Sequence, residues 1–196
     1  MADRHPIHDN WFLAHPKRVN GTAYYGAYPH GFPERARVLI CANIDDPVLH
    51  VCAGMVRHYP VAGGFGPNDK TLDLAPECEP DFLQDAREPF PVCRLDPRAS
   101  FATPEGRPRM WRAVLIDPPY GPDHAAKYSP GPDTYPAPQR LVLNALDVVP
   151  RGGKVGLLHQ MVPSIPSARA KTIAEVSVIV GTNQRGRVFT VWERVD

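Results

Sequence analysis

Residues 112–120 read R-A-V-L-I-D-P-P-Y, a near-continuous apolar run that stops at an acid, two prolines and an aromatic. An apolar run without alternation suits a strand buried on both faces, as in a parallel sheet covered by helices. Similar runs recur. V-L-H-V-C-A-G (48–54) ends in glycine, K-T-L-D-L (70–74) follows a G-G-F-G-P loop, and K-V-G-L-L-H (154–159) follows a Gly pair. R-V-L-I-C-A-N (37–43) fits either a strand or the end of a helix.

Between these runs, Y-P-A-P-Q-R-L-V-L-N-A-L-D-V-V-P-R-G-G (135–153) has its prolines at the front, where a helix tolerates them. Its apolar positions Leu141, Leu143, Leu146 and Val149 and the Gly pair at its stop predict a helix. The last stretch, E-V-S-V-I-V-G-T-N-Q-R-G-R-V-F-T-V-W-E-R-V, has two β-branched runs around a Gly/Asn turn and predicts an antiparallel hairpin closing the sheet. Strands and helices alternate and a hairpin ends the chain, which predicts a layered α/β fold.

The 196 residues, 43% of them hydrophobic, suffice for one core and one domain. We expect that domain at 37–196. Residues 1–36 carry Trp11, Tyr24, Tyr25, Tyr28 and Phe32 without sustained periodicity, and are expected as an ordered aromatic segment packed on the domain.

With 22 basic against 21 acidic residues, net charge demands neither a nucleic-acid nor a membrane partner. Cys41, Cys52, Cys78 and Cys93 form no C-x-x-C pair, and no apolar span of ~20 residues interrupts the chain. The expectation is a cytoplasmic protein with reduced thiols, no membrane and no metal. The 24 prolines are spread singly, which suggests rigid loops and not a disordered linker. They also make the Pro118-Pro119 pair uninformative by itself, since this composition supplies about three such pairs by chance.

What surrounds the pair is informative. An apolar strand places Asp117, Pro118, Pro119 and Tyr120 at its C-terminal edge, in the crevice where open α/β sheets bind ligands. Pro119 fixes its own φ and holds Pro118 extended, so the carbonyls point in few directions. Taken singly, Asp117 also suits a turn cap, Gly54 a tight turn, His50 a core histidine, and Tyr24, Tyr25 and Tyr28 plain packing.

At Asp117-Pro118-Pro119-Tyr120 the chain resembles the S-adenosylmethionine-dependent amino-methyltransferases of nucleic acids, whose signature D/N/S-P-P-Y/F/W follows a buried strand. The resemblance spans roughly residues 45–195 and implies a Rossmann-like class I methyltransferase fold, mostly parallel, with the C-terminal antiparallel hairpin. V-L-H-V-C-A-G-M (48–55) stands where the family has its first strand and Gly loop, which implies cofactor contacts from Val51, Cys52, Ala53 and Gly54. Nineteen residues past Gly54, Asp73 with Leu74 matches the acidic position that bonds ribose hydroxyls. Asp85 falls where the family bonds the adenine amino group of the cofactor, and V-V-P-R-G-G-K-V-G-L-L resembles the entry to the fifth strand.

Implied roles follow. Asp117 and the Pro118 carbonyl would accept the N–H bonds of an exocyclic amine beside the sulfonium methyl, localising the amine lone pair for direct transfer. Tyr120 would stack on a flipped or unpaired base, with His124, Lys127 and Tyr128 as further base or phosphate contacts. Aspartate at the first position points to adenine N6 in DNA. The same chemistry serves RNA, at adenine N6 or guanine N2, and an inactive methyltransferase-like binding module is the third alternative.

Two departures stand out. The family loop reads acidic-x-aromatic-x-Gly-x-Gly, whereas here His50 and Cys52 occupy the acidic and aromatic positions and one Gly remains. The longest stretch open to target recognition, 87–112, is short, so a homodimer or a separate specificity partner is a candidate to supply recognition.

Overall fold

A computed structural model describes residues 5–14, 28–58, 64–93, 110–126, 135–181 and 186–196. Among them, β1 (Ile7–Leu13), β2 (Val48–Val51), β3 (Lys70–Asp73), β4 (Phe82–Leu83), β5 (Ala113–Ile116), β6 (Lys154–His159), β7 (Ala170–Val180) and β8 (Arg187–Arg194) form one sheet. The spatial order is β1-β7-β8-β6-β5-β2-β3-β4. All neighbours pair parallel except β8, which runs antiparallel to both β6 and β7. The fold is therefore a mostly parallel α/β sheet with an antiparallel C-terminal pair, as expected.

The hairpin was expected to close the sheet, but β1 lies beyond it, and β8 fills the gap between β7 and β6. Strand β1 was not anticipated. I-H-D-N-W-F-L lacks clean alternation, and only Trp11 and Leu13 are buried, so its signal is that of a one-sided edge strand. Its register, Trp11 opposite Val178 and Leu13 opposite Val180, turns those two side chains to the core.

Residues 37–43 resolve toward the helix. Helix α1 (Phe32–Leu39) starts with Pro33 in its first turn, after Gly31 at φ 78°, and ends as Cys41 turns left-handed at φ 52°. Phe32, Ala36 and Ile40 recur every four residues and are buried, while Val38 is exposed, a helical and not a strand period. Helix α2 (Pro122–Ala125) is one turn, and α3 (Pro138–Asp147) carries its prolines at the front as anticipated. It buries Leu141, Val142, Ala145 and Leu146.

The two sheet faces carry separate cores. Trp11, Phe32, Ala36, Ile40, Leu115 and Phe189 pack on the α1 side, and Leu49, Leu72, Trp111, Ile116, Leu146 and Trp192 on the α3 side. Four-residue strands buried at every position, β2 and β5, form the centre. Gly156 on β6 is required there. A Cβ would sit 2.7 Å from two ring carbons of Phe189 and 2.9 Å from Leu115 Cδ2. Gly156→Ala is expected to destabilise by about 1–3 kcal/mol through overpacking, read as a lower urea midpoint at unchanged slope.

Candidate active site

Chain order reverses beside β2. From β2 the chain proceeds outward to β3 and β4, then returns to place β5 on the other side of β2. A crevice opens at the C-terminal ends of strands where such a reversal occurs. The Asp117 N–H donates to the Val51 carbonyl (3.2 Å) and the Cys52 N–H to the Leu72 carbonyl (2.9 Å), so the ends of β5, β2 and β3 are tied together there. Val51 and Ala53 are buried.

After β2 the backbone turns through two left-handed residues, Cys52 (φ 52°) and Gly54 (φ 50°). Asp73, the last residue of β3, secures this loop. Its Oδ2 accepts the Gly54 N–H at 2.8 Å, and its Oδ1 accepts the Ala75 N–H at 3.0 Å. Each oxygen keeps a lone pair for a ligand hydroxyl. Burial, then the charges of Asp73, Asp117 and Asp85, push the Cys52 thiol well above its ordinary pKa, so it stays protonated. Asp73, Asp117 and Asp85 thus gather around one loop. Asp85 itself is held by Arg87, whose Nη2 donates to Oδ2 at 2.6 Å, and that bond keeps the carboxyl below its usual range. Leu74 is exposed beside the loop.

At the end of β5, Asp117 is half-buried, and Tyr120 Oη donates to its Oδ1 at 2.9 Å. Among the described residues, Oδ2 takes no hydrogen bond. Desolvation raises the carboxyl pKa to about 6, against the lowering effects of the Arg187 charge and the Tyr120 bond. Tyr120 is enclosed. His159 meets its ring edgewise at 5.6 Å, His124 of α2 does so at 6.0 Å, and the Arg187 guanidinium lies over the ring 4.8 Å from its centroid. Lys127 and Tyr128 lie outside the described residues.

Two participants were not singled out in the sequence: Arg187 opens β8 and His159 closes β6. Tyr28, read from sequence as plain packing, stacks on Phe32 at 5.1 Å, and its buried hydroxyl has no partner among the described residues. Burial, then Asp117, Cys52 and Asp69, raise the Tyr28 pKa well above normal, so this hydroxyl stays neutral. Neither Arg187 nor His159 has a local motif. His50 proves to be a core histidine, fully buried, with Nε2 3.1 Å from Asp69 Oδ2.

No protein-family model and no curated protein matches the sequence. Solved structures do match in shape. TrmN from Thermus thermophilus superposes with a TM-score of 0.51 at 18% identity, over 87% of this chain and 50% of that one. The N-methyltransferase NodS from Bradyrhizobium japonicum WM9 gives 0.50 at 8% identity, over 85% and 98%. The fold is that of the class I methyltransferases. This chain spans half the length of TrmN. NodS has also been solved with S-adenosyl-l-homocysteine bound, and that structure matches with a TM-score of 0.50. Among the described residues, no helix is long and apolar enough to cross a membrane.

Proposed function

We propose that this chain is an S-adenosylmethionine-dependent methyltransferase acting on an exocyclic amino group of a nucleobase, adenine N6 in DNA, with nucleic acid as its partner. The observation that carries this reading is the meeting, at one sheet reversal, of the Asp117-Pro118-Pro119-Tyr120 edge with the Gly54 loop braced by Asp73. When bound, the cofactor supplies an electrophilic methyl on a positively charged sulfur. The residues present suit it. Asp73 retains acceptor capacity for ribose hydroxyls, Tyr28 offers a buried hydroxyl with no partner among the described residues, and three aspartates surround the Cys52 turn with negative charge.

For the acceptor, Asp117 Oδ2 and the Pro118 carbonyl provide two hydrogen-bond acceptors for one NH2 group. Taking both N–H bonds localises the amine lone pair for attack, and Asp117 receives the proton that the amine sheds. Tyr120 supplies the aromatic surface for the base, with Oδ1 of Asp117 holding its hydroxyl.

Asp117 must be ionised to act in this way. Its pKa of about 6 predicts that kcat/KM falls about tenfold per pH unit below that value. Arg187→Met removes a charge favouring the carboxylate and is expected to shift this limb to higher pH. Single-turnover rates across pH test both statements.

The deciding experiment offers labelled S-adenosylmethionine with single- and double-stranded DNA, and separately with RNA, followed by nucleoside mass analysis. N6-methyladenine in DNA is the expected product. Label only in RNA redirects the substrate, and no transfer to any nucleic acid refutes the reading.

A further inference from the structure

Val188 pairs with His159, the last residue of β6, so Arg187 stands one residue beyond the C-terminal end of that strand. Its guanidinium lies over the Tyr120 ring, 4.8 Å from the centroid. Contact with a ring face uses the charge of an arginine and leaves its five N–H donors free. Among the described residues, these donors make no hydrogen bond and the guanidinium no ion pair. Asp117 takes its bond from Tyr120 Oη instead, at 2.9 Å. The other half-buried arginines among the described residues are all engaged. Arg112 donates to the Cys41 carbonyl at 2.7 Å, Arg169 to Asp147 at 2.6 Å, and Arg194 to Asp196 at 2.8 Å. Space is open beside Arg187. A Cβ at Gly186, just before it, or at Gly121, just after Tyr120, would meet nothing within 4 Å, so another chain can pass close to both backbones.

We propose that Arg187 binds a backbone phosphate of the acceptor strand, the one beside the nucleotide whose base is presented to Asp117. The proposal rests on the nucleobase-methyltransferase reading and adds the group by which the site recognises a strand rather than a free base. A phosphodiester is an anion with two free acceptor oxygens, and the arginine fork matches both at once. The guanidinium covers one face of Tyr120 and leaves the base the other, so base and phosphate of one nucleotide straddle a single ring. An arginine that only packed on Tyr120, or only lent its charge to Asp117, would be indifferent to charge on the substrate backbone.

That difference is measured as binding, by fluorescence anisotropy at pH 8 with the full chain and S-adenosyl-L-homocysteine. The probe is a labelled single-stranded deoxyoligonucleotide with one adenine. In it a neutral methylphosphonate replaces one phosphate, either beside the adenine or, as the control, several nucleotides away. Each linkage is compared within one protein, so any effect of a substitution on Asp117 cancels.

We expect wild type to lose about 10- to 100-fold in affinity when the neutral linkage adjoins the adenine, and less than about threefold at the control position. Arg187→Met should show that same loss with the unmodified strand and no further loss from the neutral linkage. Its log–log salt slope should be shallower by about 0.7, the share of one phosphate on a single strand. Arg187→Lys keeps the charge without the fork, so it should recover the slope and part of the affinity. Wild-type affinity in Arg187→Met, or a neutral linkage that costs wild type and variant alike, overturns the proposal. So does a wild-type loss that ignores position, which needs no variant to fold. If wild type shows the coupling but methylates no nucleic acid, the function fails and the phosphate contact stands. Methylation without the coupling is the reverse, and a chain that binds no strand at all refutes both.

Discussion

Asp117→Asn should slow methyl transfer by about 10²-fold and Asp117→Ala by about 10³-fold, while the asparagine variant melts at a higher temperature than wild type at pH 8. The opposite signs come from one carboxylate. Its pKa lies near 6 in the folded chain, above the value for an unfolded aspartate. A raised carboxyl pKa means that the folded state binds the proton more tightly. The group's contribution to stability is fully present below the unfolded pKa and is lost as pH rises through about 6. At pH 8 the wild-type chain therefore holds an ionised group where burial disfavours it, and asparagine relieves this. Asparagine also retains an oxygen for the Tyr120 hydroxyl, which alanine does not. Below pH 4 the melting advantage of asparagine should vanish. Thermal melts at both pH values, together with single-turnover rates, check the expectation; equal melting of wild type and variant at pH 8 would sink it.

Asp69→Ala carries the largest expected cost to the fold, about 3–5 kcal/mol. Asp69 is almost fully buried and accepts from Arg37 Nη2 at 2.6 and 2.5 Å, from the Gly66 N–H at 2.7 Å and from the Val48 N–H at 3.2 Å, with His50 Nε2 at 3.1 Å. It thereby joins α1, the start of β2 and the loop before β3. Its removal leaves the buried Arg37 guanidinium without its counter-charge and strips two backbone donors of their acceptor. The exposed pair of Arg169 and Asp147 sets the contrast. Though 2.6 Å long, it leaves the Asp147 side chain 63% exposed, and Asp147→Ala should cost less than ~1 kcal/mol. Urea denaturation of both variants measures the difference, and a cost for Asp69→Ala as small as that for Asp147→Ala would refute the account.

The elements legible in the sequence were those whose signal is local. β2 and β5 announce themselves because all four residues of each are buried apolar or, at His50, paired. α3 does so because its prolines and Gly pair stand at its two ends. β1 was obscured because its partner β7 lies more than 160 residues away and only one face of the strand is buried. At the site, Asp117, Tyr120, Gly54 and Asp73 could be named from spacing along neighbouring strands. Arg187 and His159 could not, because each is a single polar residue brought in from another strand by the sheet order. Asp85 was named from the family resemblance, but sequence does not reveal that Arg87, two residues on, takes up its carboxylate.

β8 runs against its neighbours, so its first residue, and not its last, arrives at the end of the sheet that carries Asp117 and Tyr120. Arg187 reaches Tyr120 from that end, directly after the connection from β7. Replacing Arg187 therefore alters what lies over the Tyr120 ring while leaving β2, β3 and β5 untouched. Under the proposed function, the acceptor side thus gains a determinant, Arg187, on a different strand from the Gly54 loop and Asp73, so the two can be varied one at a time.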